Sequence, residues 1–292
     1  MGNEAHEDGY AAFVAALPGL RAEMHRYLAR MTGSVIDGED VLQDALLSAA
    51  VALREGEQVQ NLRAWLFRIA HNTALNSFRA RGRERAAKAE LINLPPNPAT
   101  NAEAMMPEAL TPYMALTPIQ RSTMILRDVI GYSAKEVADL TGTSESAVKS
   151  ALHRGRAALA KARAEHTPAR SELDAQNRRL LQEYVRLFNA LDFDRILDML
   201  REEVRLELVS VEGRTGKQAV SGYFGNYAKR TDWQMAAGAV EGQPAILAFD
   251  RNAPTDRPIY FVLLEFADDR IAGIRDFRYA RYAAMDAEYS LP

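Results

Sequence analysis

The spacing of apolar residues changes once along this chain, and that change limits what it can fold into. Up to about residue 165, apolar side chains recur every three or four positions. From about Ala175, helical segments give way to stretches in which apolar and polar residues alternate. A period near 3.6 buries one stripe of a helix, and a period of 2 buries one face of a strand. Such parts do not share one layered core, so several domains are expected, all-α first and α+β last. The 292 residues allow two or three.

Prolines and caps divide the helical part. Leu62, Trp65, Leu66, Ile69, Ala70 and Thr73 form one helical stripe, and Trp65 is expected in the core because it lies on it. Pro95, Pro96 and Pro98 cannot continue a helix, so a stiff linker is expected over residues 89–107, after a first domain at 8–88. Thr117-Pro118-Ile119-Gln120 and Ser133-Ala134-Lys135-Glu136 both have capping-box spacing, with Gly131 and Gly142 as stops. Thr143 or Ser144 starts a third helix, which completes a domain at 108–165. A second linker, 166–175, leads to the last domain, 176–289. There "QNRRLLQEYVRLFNALDFDRILDML" predicts a helical pair and "EEVRLELVS" a strand. "GKQAVSGYFGNYAKR" predicts a helix, and four antiparallel strands follow, with a turn at Asp268-Asp269.

Charge and composition narrow the function. The chain has no cysteine, which excludes disulfides, thiol catalysis and cysteine-ligated zinc. His6, His25, His71, His153 and His166 are scattered without ligand spacing, so neither a metal nor another cofactor is expected. No apolar run is long enough to span a bilayer, and the acidic N-terminus lacks the parts of a secretory signal. A cytoplasmic protein with no membrane partner is expected. The net charge of −3 hides two basic clusters, Arg79 to Lys88 and Lys149 to Arg163, and an acidic helix, "DGEDVLQDALL". Basic patches beside a separate acidic helix suit nucleic acid in one place and protein in another.

The second basic cluster lies on a helix with two faces. Val148, Ala151, Leu152, Gly155 and Leu159 make the apolar side; Glu145, Lys149, His153 and Arg156 make the polar side, with Ser146 and Ser150 beside them. Two short capped helices joined at a glycine form a helix-turn-helix, whose second helix enters a major groove. Lys149 and Arg156 suit phosphate or a guanine edge, Ser146, Ser150 and His153 suit base or phosphate hydrogen bonds, and Arg154 suits the flanking backbone.

The wording of these segments resembles a known family. "LTPIQRSTMILRDVIGYSAKEVADLTGTSESAVKSALHRGRAALAKAR" is similar to region four of the extracytoplasmic-function sigma factors. The resemblance implies that Ser144, Glu145, Ser146, Lys149, Ser150, His153, Arg154 and Arg156 face a promoter's minus-thirty-five element. "DGEDVLQDALLSAAVAL" resembles region two-two, which docks on the clamp helices of the largest subunit of core RNA polymerase. It implies a polymerase-binding face of Glu39, Asp40, Gln43 and Asp44 over a buried side of Val41, Leu42, Ala45 and Leu46. "NLRAWLFRIAHNTALNSFRARGRERA" resembles regions two-three and two-four, with Asn76 where the family often carries Asp. It implies Asn61, Arg63, Arg68, His71, Asn72, Asn76 and Arg79 as minus-ten contacts. The preceding loop, "REGEQVQN", corresponds to the place of base capture. The resemblance covers residues 10–165 and implies core polymerase and promoter DNA as partners, with a separate anti-sigma factor as a further one.

The last domain resembles the SnoaL-like (nuclear transport factor two-like) fold in the order of its elements, a curved sheet wrapped by helices around a pocket. Tyr223, Tyr227, Trp233, Tyr260 and Phe277 are the candidate pocket residues, although aromatics on such elements are usually core. Asp232, Asp250, Asp276 and Glu265 have no identifiable partner, and no histidine follows His166, so no catalytic residue is assigned. The chain is therefore expected to be a sigma factor modulated by a fused domain, and not an enzyme. A polymerase-independent helix-turn-helix regulator and a small-molecule enzyme are the alternatives.

Overall fold

The computed structural model describes residues 2–91, 109–167, 173–229, 232–253 and 256–291; for 2–8, 81–91 and 212 only the backbone is described. The stretches expected as linkers fall largely outside these residues, as do the side chains of the basic segment beyond Ala80. Two compact units result, one ending at Thr167 and the other running to the C-terminus.

The first unit is helical. α1 (Gly2–Thr32) and α2 (Val35–Arg54) pack side by side, and Ser34 caps α2 by accepting from the Asp37 amide at 3.1 Å. α3 (Leu62–Leu91) packs on both. A 3-10 turn (Thr111–Ala115) then leads to α4 (Pro118–Met124), which continues as a π-helical segment (Ile125–Val129). α5 (Ala134–Thr141) and α6 (Glu145–Ala164) complete the helix-turn-helix. The expected caps form: Thr117 and Gln120 bond reciprocally, Ser133 and Glu136 do the same, and Ser144 caps α6. Gly142 closes α5 with φ 66°, where a side chain would be strained. A single apolar core runs through the unit, joining Met24, Tyr27, Leu28, Leu42 and Phe67 to Ile125, Leu126, Tyr132 and Val137.

The second unit is α+β. α7 (Ala175–Asn189) and α8 (Phe193–Met199) form the expected pair. Then follow β1 (Leu200–Leu208), β2 (Glu212–Thr215), α9 (Lys217–Ala228), β3 (Trp233–Val240) and β4 (Gln243–Asp250). β5 (Tyr260–Ala267), β6 (Arg270–Asp276), α10 (Tyr282–Asp286) and β7 (Tyr289–Ser290) complete it. The sheet order is β2-β1-β6-β5-β4-β3-β7. Residues 241–242 and 268–269 all have positive φ, which suits the two-residue hairpins that join β3 to β4 and β5 to β6. The sheet is mixed and not purely antiparallel as expected, because β1 pairs with β6 in parallel. Alternation in a sequence reveals that a strand has two faces but not the direction of its neighbour.

The interior of this unit is filled by aromatic side chains. Phe188 meets Tyr227, Trp233 and Phe193 edge-on, with centroids 4.9, 5.1 and 5.4 Å away. The five residues expected to line a common pocket are all buried, and of them Trp233 and Tyr260 border a cavity. Tyr223, Tyr227, Trp233 and Tyr260 pack in this cluster. Phe277 stacks on Phe261 at 4.3 Å. Large rings on facing elements fill the space between sheet and helices. A small cavity of about 60 Å³ remains beside Trp233, Tyr260, Arg278 and Arg281.

Candidate nucleic-acid interface

α6 divides as its sequence predicts. Val148, Ala151, Leu152, Gly155 and Leu159 are buried, and all eight residues assigned to the minus-thirty-five face are exposed. Gly155 sets how closely α6 lies on α4: a Cβ there would stand 2.6 Å from the Met124 sulfur. Two of the eight have tasks within the protein. The Ser144 hydroxyl accepts from the Ala147 amide and contacts the Ser146 hydroxyl at 2.9 Å, so it serves the helix end. Arg156 makes a two-pronged contact with Asp128, at 2.9 and 2.7 Å, which holds its pKa above the usual guanidinium value. Asp128 belongs to the π segment. Of the other six, Glu145 and Ser146 lie in the first turn, and Lys149, Ser150, His153 and Arg154 form the exposed centre of the face.

α3 carries the second polar stripe. Arg68, Asn72, Asn76 and Arg79 are exposed at spacings of four, four and three, one side of a helix. Arg79 donates to the Asn76 side chain at 3.3 Å. Asn61 is exposed just ahead, and its side chain caps α3 by accepting from the Ala64 amide at 3.0 Å. Two of the residues expected on this stripe are elsewhere. His71 is buried and hydrogen-bonds the Tyr27 hydroxyl at 2.8 Å; burial pulls its pKa down, which keeps the ring neutral. Arg63 is ion-paired with Glu23 and lies over the Tyr132 and Phe67 rings, at 4.3 and 5.3 Å. Residues 63, 67 and 71 follow one another at helical spacing on the inward side, whereas 68 and 72 are a turn face away. Trp65 is core, its indole donating to Glu57 at 2.7 Å.

On α2 the four residues expected to face polymerase do not share one exposure. Glu39 is buried and paired with Arg21, so it points inward. Asp40 and Asp44 are exposed and Gln43 is half-buried. The same line continues into Leu47 and Val51, which are 66% and 47% exposed. Sequence reasoning placed no function there, since an apolar residue in an amphipathic helix reads as core. The outward row 40, 44, 47, 51 is the sequence signal of their exposure.

Between the loop ahead of α3 and α5 lies a cavity of about 510 Å³, bordered by Asn61, Arg63, Arg68, Tyr132, Glu136 and Asp139. Among the described residues, no cluster of His, Asp and Glu could hold a metal ion, and no helix is long and apolar enough to cross a membrane.

Two family models match, sigma-70 region 2 over residues 20–84 and sigma-70 region 4 over residues 114–159. The extracytoplasmic-function RNA polymerase sigma factor SigG of Mycobacterium tuberculosis (strain ATCC 25618 / H37Rv) is 30% identical, over 94% of this chain and 84% of the relative. The chain belongs to the extracytoplasmic-function sigma factors. As a sigma factor it serves transcription initiation, with RNA polymerase and promoter DNA as its partners. The alignment with SigG takes in the α+β unit. SigM of Mycobacterium tuberculosis (strain ATCC 25618 / H37Rv) is 32% identical over 48% of this sigma factor and 70% of its own length. The crystal structure of Mycobacterium tuberculosis SigJ matches at 20% identity and a TM-score of 0.37, over 90% of this sigma factor and 95% of that chain.

Proposed function

We propose that this sigma factor brings core polymerase to promoters whose minus-thirty-five element is met by α6 and whose minus-ten element is met by α3. The observation that carries the reading is the exposed, acid-free centre of α6, opposite a fully buried stripe on a helix fixed at its N-terminus by Ser144. Lys149 and Arg154 supply phosphate contacts, and Ser150 and His153 supply hydrogen bonds to base edges. Arg156 steadies the turn through Asp128 and adds positive potential. On α3, Arg68, Asn72, Asn76 and Arg79 follow the minus-ten strand, and Asn61 and Arg63 stand at the mouth of the base-capture loop. Asp40, Gln43 and Asp44, with Leu47 and Val51 behind them, form the face for the polymerase clamp helices. Charges at such a face steer association, and the exposed apolar residues supply the burial.

The reading rests on polymerase-dependent initiation. Purified chain, core polymerase and promoter DNA should yield transcripts with defined start sites, and Lys149→Ala with Arg154→Ala should abolish them. Absence of polymerase binding and of promoter-dependent starts would refute the reading. The α+β unit is assigned a modulating role and no catalysis. Ending the chain near Ser171 should change transcript yield while circular dichroism retains the helical signal. Wild-type yield from the shortened chain would remove that role.

A further inference from the structure

The cavity beside α3 has two walls of different origin. One comes from the base-capture loop and α3, with Asn61, Arg63 and Arg68. The other comes from the helix-turn-helix, with Tyr132, Glu136 and Asp139. Arg63 joins them. Its guanidinium lies 4.3 Å from the centre of the Tyr132 ring, and that ring meets Phe67 edge-on at 5.5 Å. Tyr132 is buried, while Glu136 and Asp139 are exposed along the rim. The hydrogen bond from Arg63 to Glu23 raises the Arg63 pKa, and the charge of Glu136 adds a smaller push in the same direction.

A flat ring over a guanidinium, next to a polar cavity, is what an unstacked nucleobase would present to the same arginine. Glu136 and Asp139 border the same cavity as Arg63 and Arg68, so negative charge lines a space where a strand would bring phosphate. The seam is otherwise well built. Arg121 of α4 is buried and donates to the carbonyl of Met31, at the end of α1, while its guanidinium lies 5.1 Å from the Phe78 ring of α3.

We infer that the Tyr132–Glu136–Asp139 edge of the helix-turn-helix occupies the minus-ten strand site of α3 in place of DNA, as an internal competitor for single-stranded promoter. This rests on the assignment of Asn61, Arg63 and Arg68 to that strand. Tyr132 takes the position of the captured base, and the two acids take the position of phosphates. Strand binding then requires the seam to part, and apparent affinity falls in proportion to the open fraction.

The test uses the full chain and a fluorescein-labelled single strand carrying the minus-ten element of a promoter it transcribes. Tyr132→Ala, and separately Glu136→Gln with Asp139→Asn, should each tighten binding about tenfold, as expected if about nine-tenths of the chain is closed. Gln keeps the reciprocal cap with Ser133, so the second variant guards against a misfolded first. Glu202→Gln with Glu203→Gln removes two exposed acids from β1 and controls for net charge; it should leave affinity unchanged. Wild-type affinity in both seam variants, or equal tightening in the control, would overturn the competitor. If the strand binds the wild type and Arg68→Ala equally weakly, the assignment of α3 itself fails, and the inference falls with it.

Discussion

Among the charged side chains that the two units bury, Arg121 and Asp276 are satisfied in opposite ways. In the helical unit Arg121 is 4% exposed and has backbone carbonyls as partners: Tyr113 at 2.9 Å, Leu116 at 3.0 Å, and Met31. Burial pushes its pKa down to about 10. In the α+β unit Asp276 is fully buried and accepts from the Tyr223 and Tyr227 hydroxyls, at 2.9 and 2.8 Å, and from the Arg278 amide at 2.8 Å. Burial raises its pKa, and these hydrogen bonds oppose the rise. Arg121 spans a seam, so water can replace the Met31 carbonyl when α4 and α1 separate. Asp276 is bonded within one core, and water replaces its partners only when that core melts. A buried charge thus marks a separable joint in one unit and a permanent one in the other.

The largest effect should come from Arg121→Met. It leaves at least three buried carbonyls short of a donor and should cost about 3 kcal/mol in urea unfolding. Trp65 and Trp233, the chain's two tryptophans, report one unit each. The loss should appear only in a Trp233→Phe background that isolates Trp65; a loss below about 1 kcal/mol would mean that the seam is wet. Tyr227→Phe removes one of three bonds to Asp276 and should cost about 1.5–2 kcal/mol, seen through Trp233 alone. A shift of both transitions would break the contrast between the units.

A smaller effect follows from acidity. With its pKa raised in the fold, Asp276 holds a proton that the unfolded chain has released above about pH 4. Its contribution therefore falls as pH rises from there to its folded pKa and is constant beyond. Subtracting Asp276→Asn from wild type across that range should give this downward slope in the Trp233 transition. An upward slope would mean that the phenols outweigh burial. Smallest is Arg156→Ala. Arg156 is 60% exposed, so breaking its pair with Asp128 should change stability by at most about 0.5–1 kcal/mol, while promoter affinity drops.

What was legible in the sequence was local. The caps at Thr117, Ser133 and Ser144 depend on side chains three residues from their partners, and all form. The buried stripe of α6 follows from its spacing alone. Decisions between adjacent residues were harder. Glu39 and Asp40, or His71 and Asn72, differ by about 100° around a helix, and only the packing of α1 selects which of each pair turns inward. Arg121 sits in "TPIQR", where a charge reads as solvated, and Met31, one of its acceptors, lies 90 positions earlier. Asp276 lacked a visible partner because its tyrosines lie 49 and 53 residues away. The short β7 and the parallel pairing of β1 likewise depend on distant neighbours.

Gly155 has one more consequence. Its contact with Met124 is the closest approach that a Cβ would disturb on α6, and Glu145 lies ten positions ahead of it, about 15 Å along the axis. The contact therefore works as a fulcrum with the reading end of α6 on its long arm. A tilt of about 5° there would sweep Glu145 through about 1.3 Å, more than a third of the roughly 3.4 Å rise between base pairs. A methyl group at position 155 would thus show itself less in stability than in aim, as a change in which base step the helix meets.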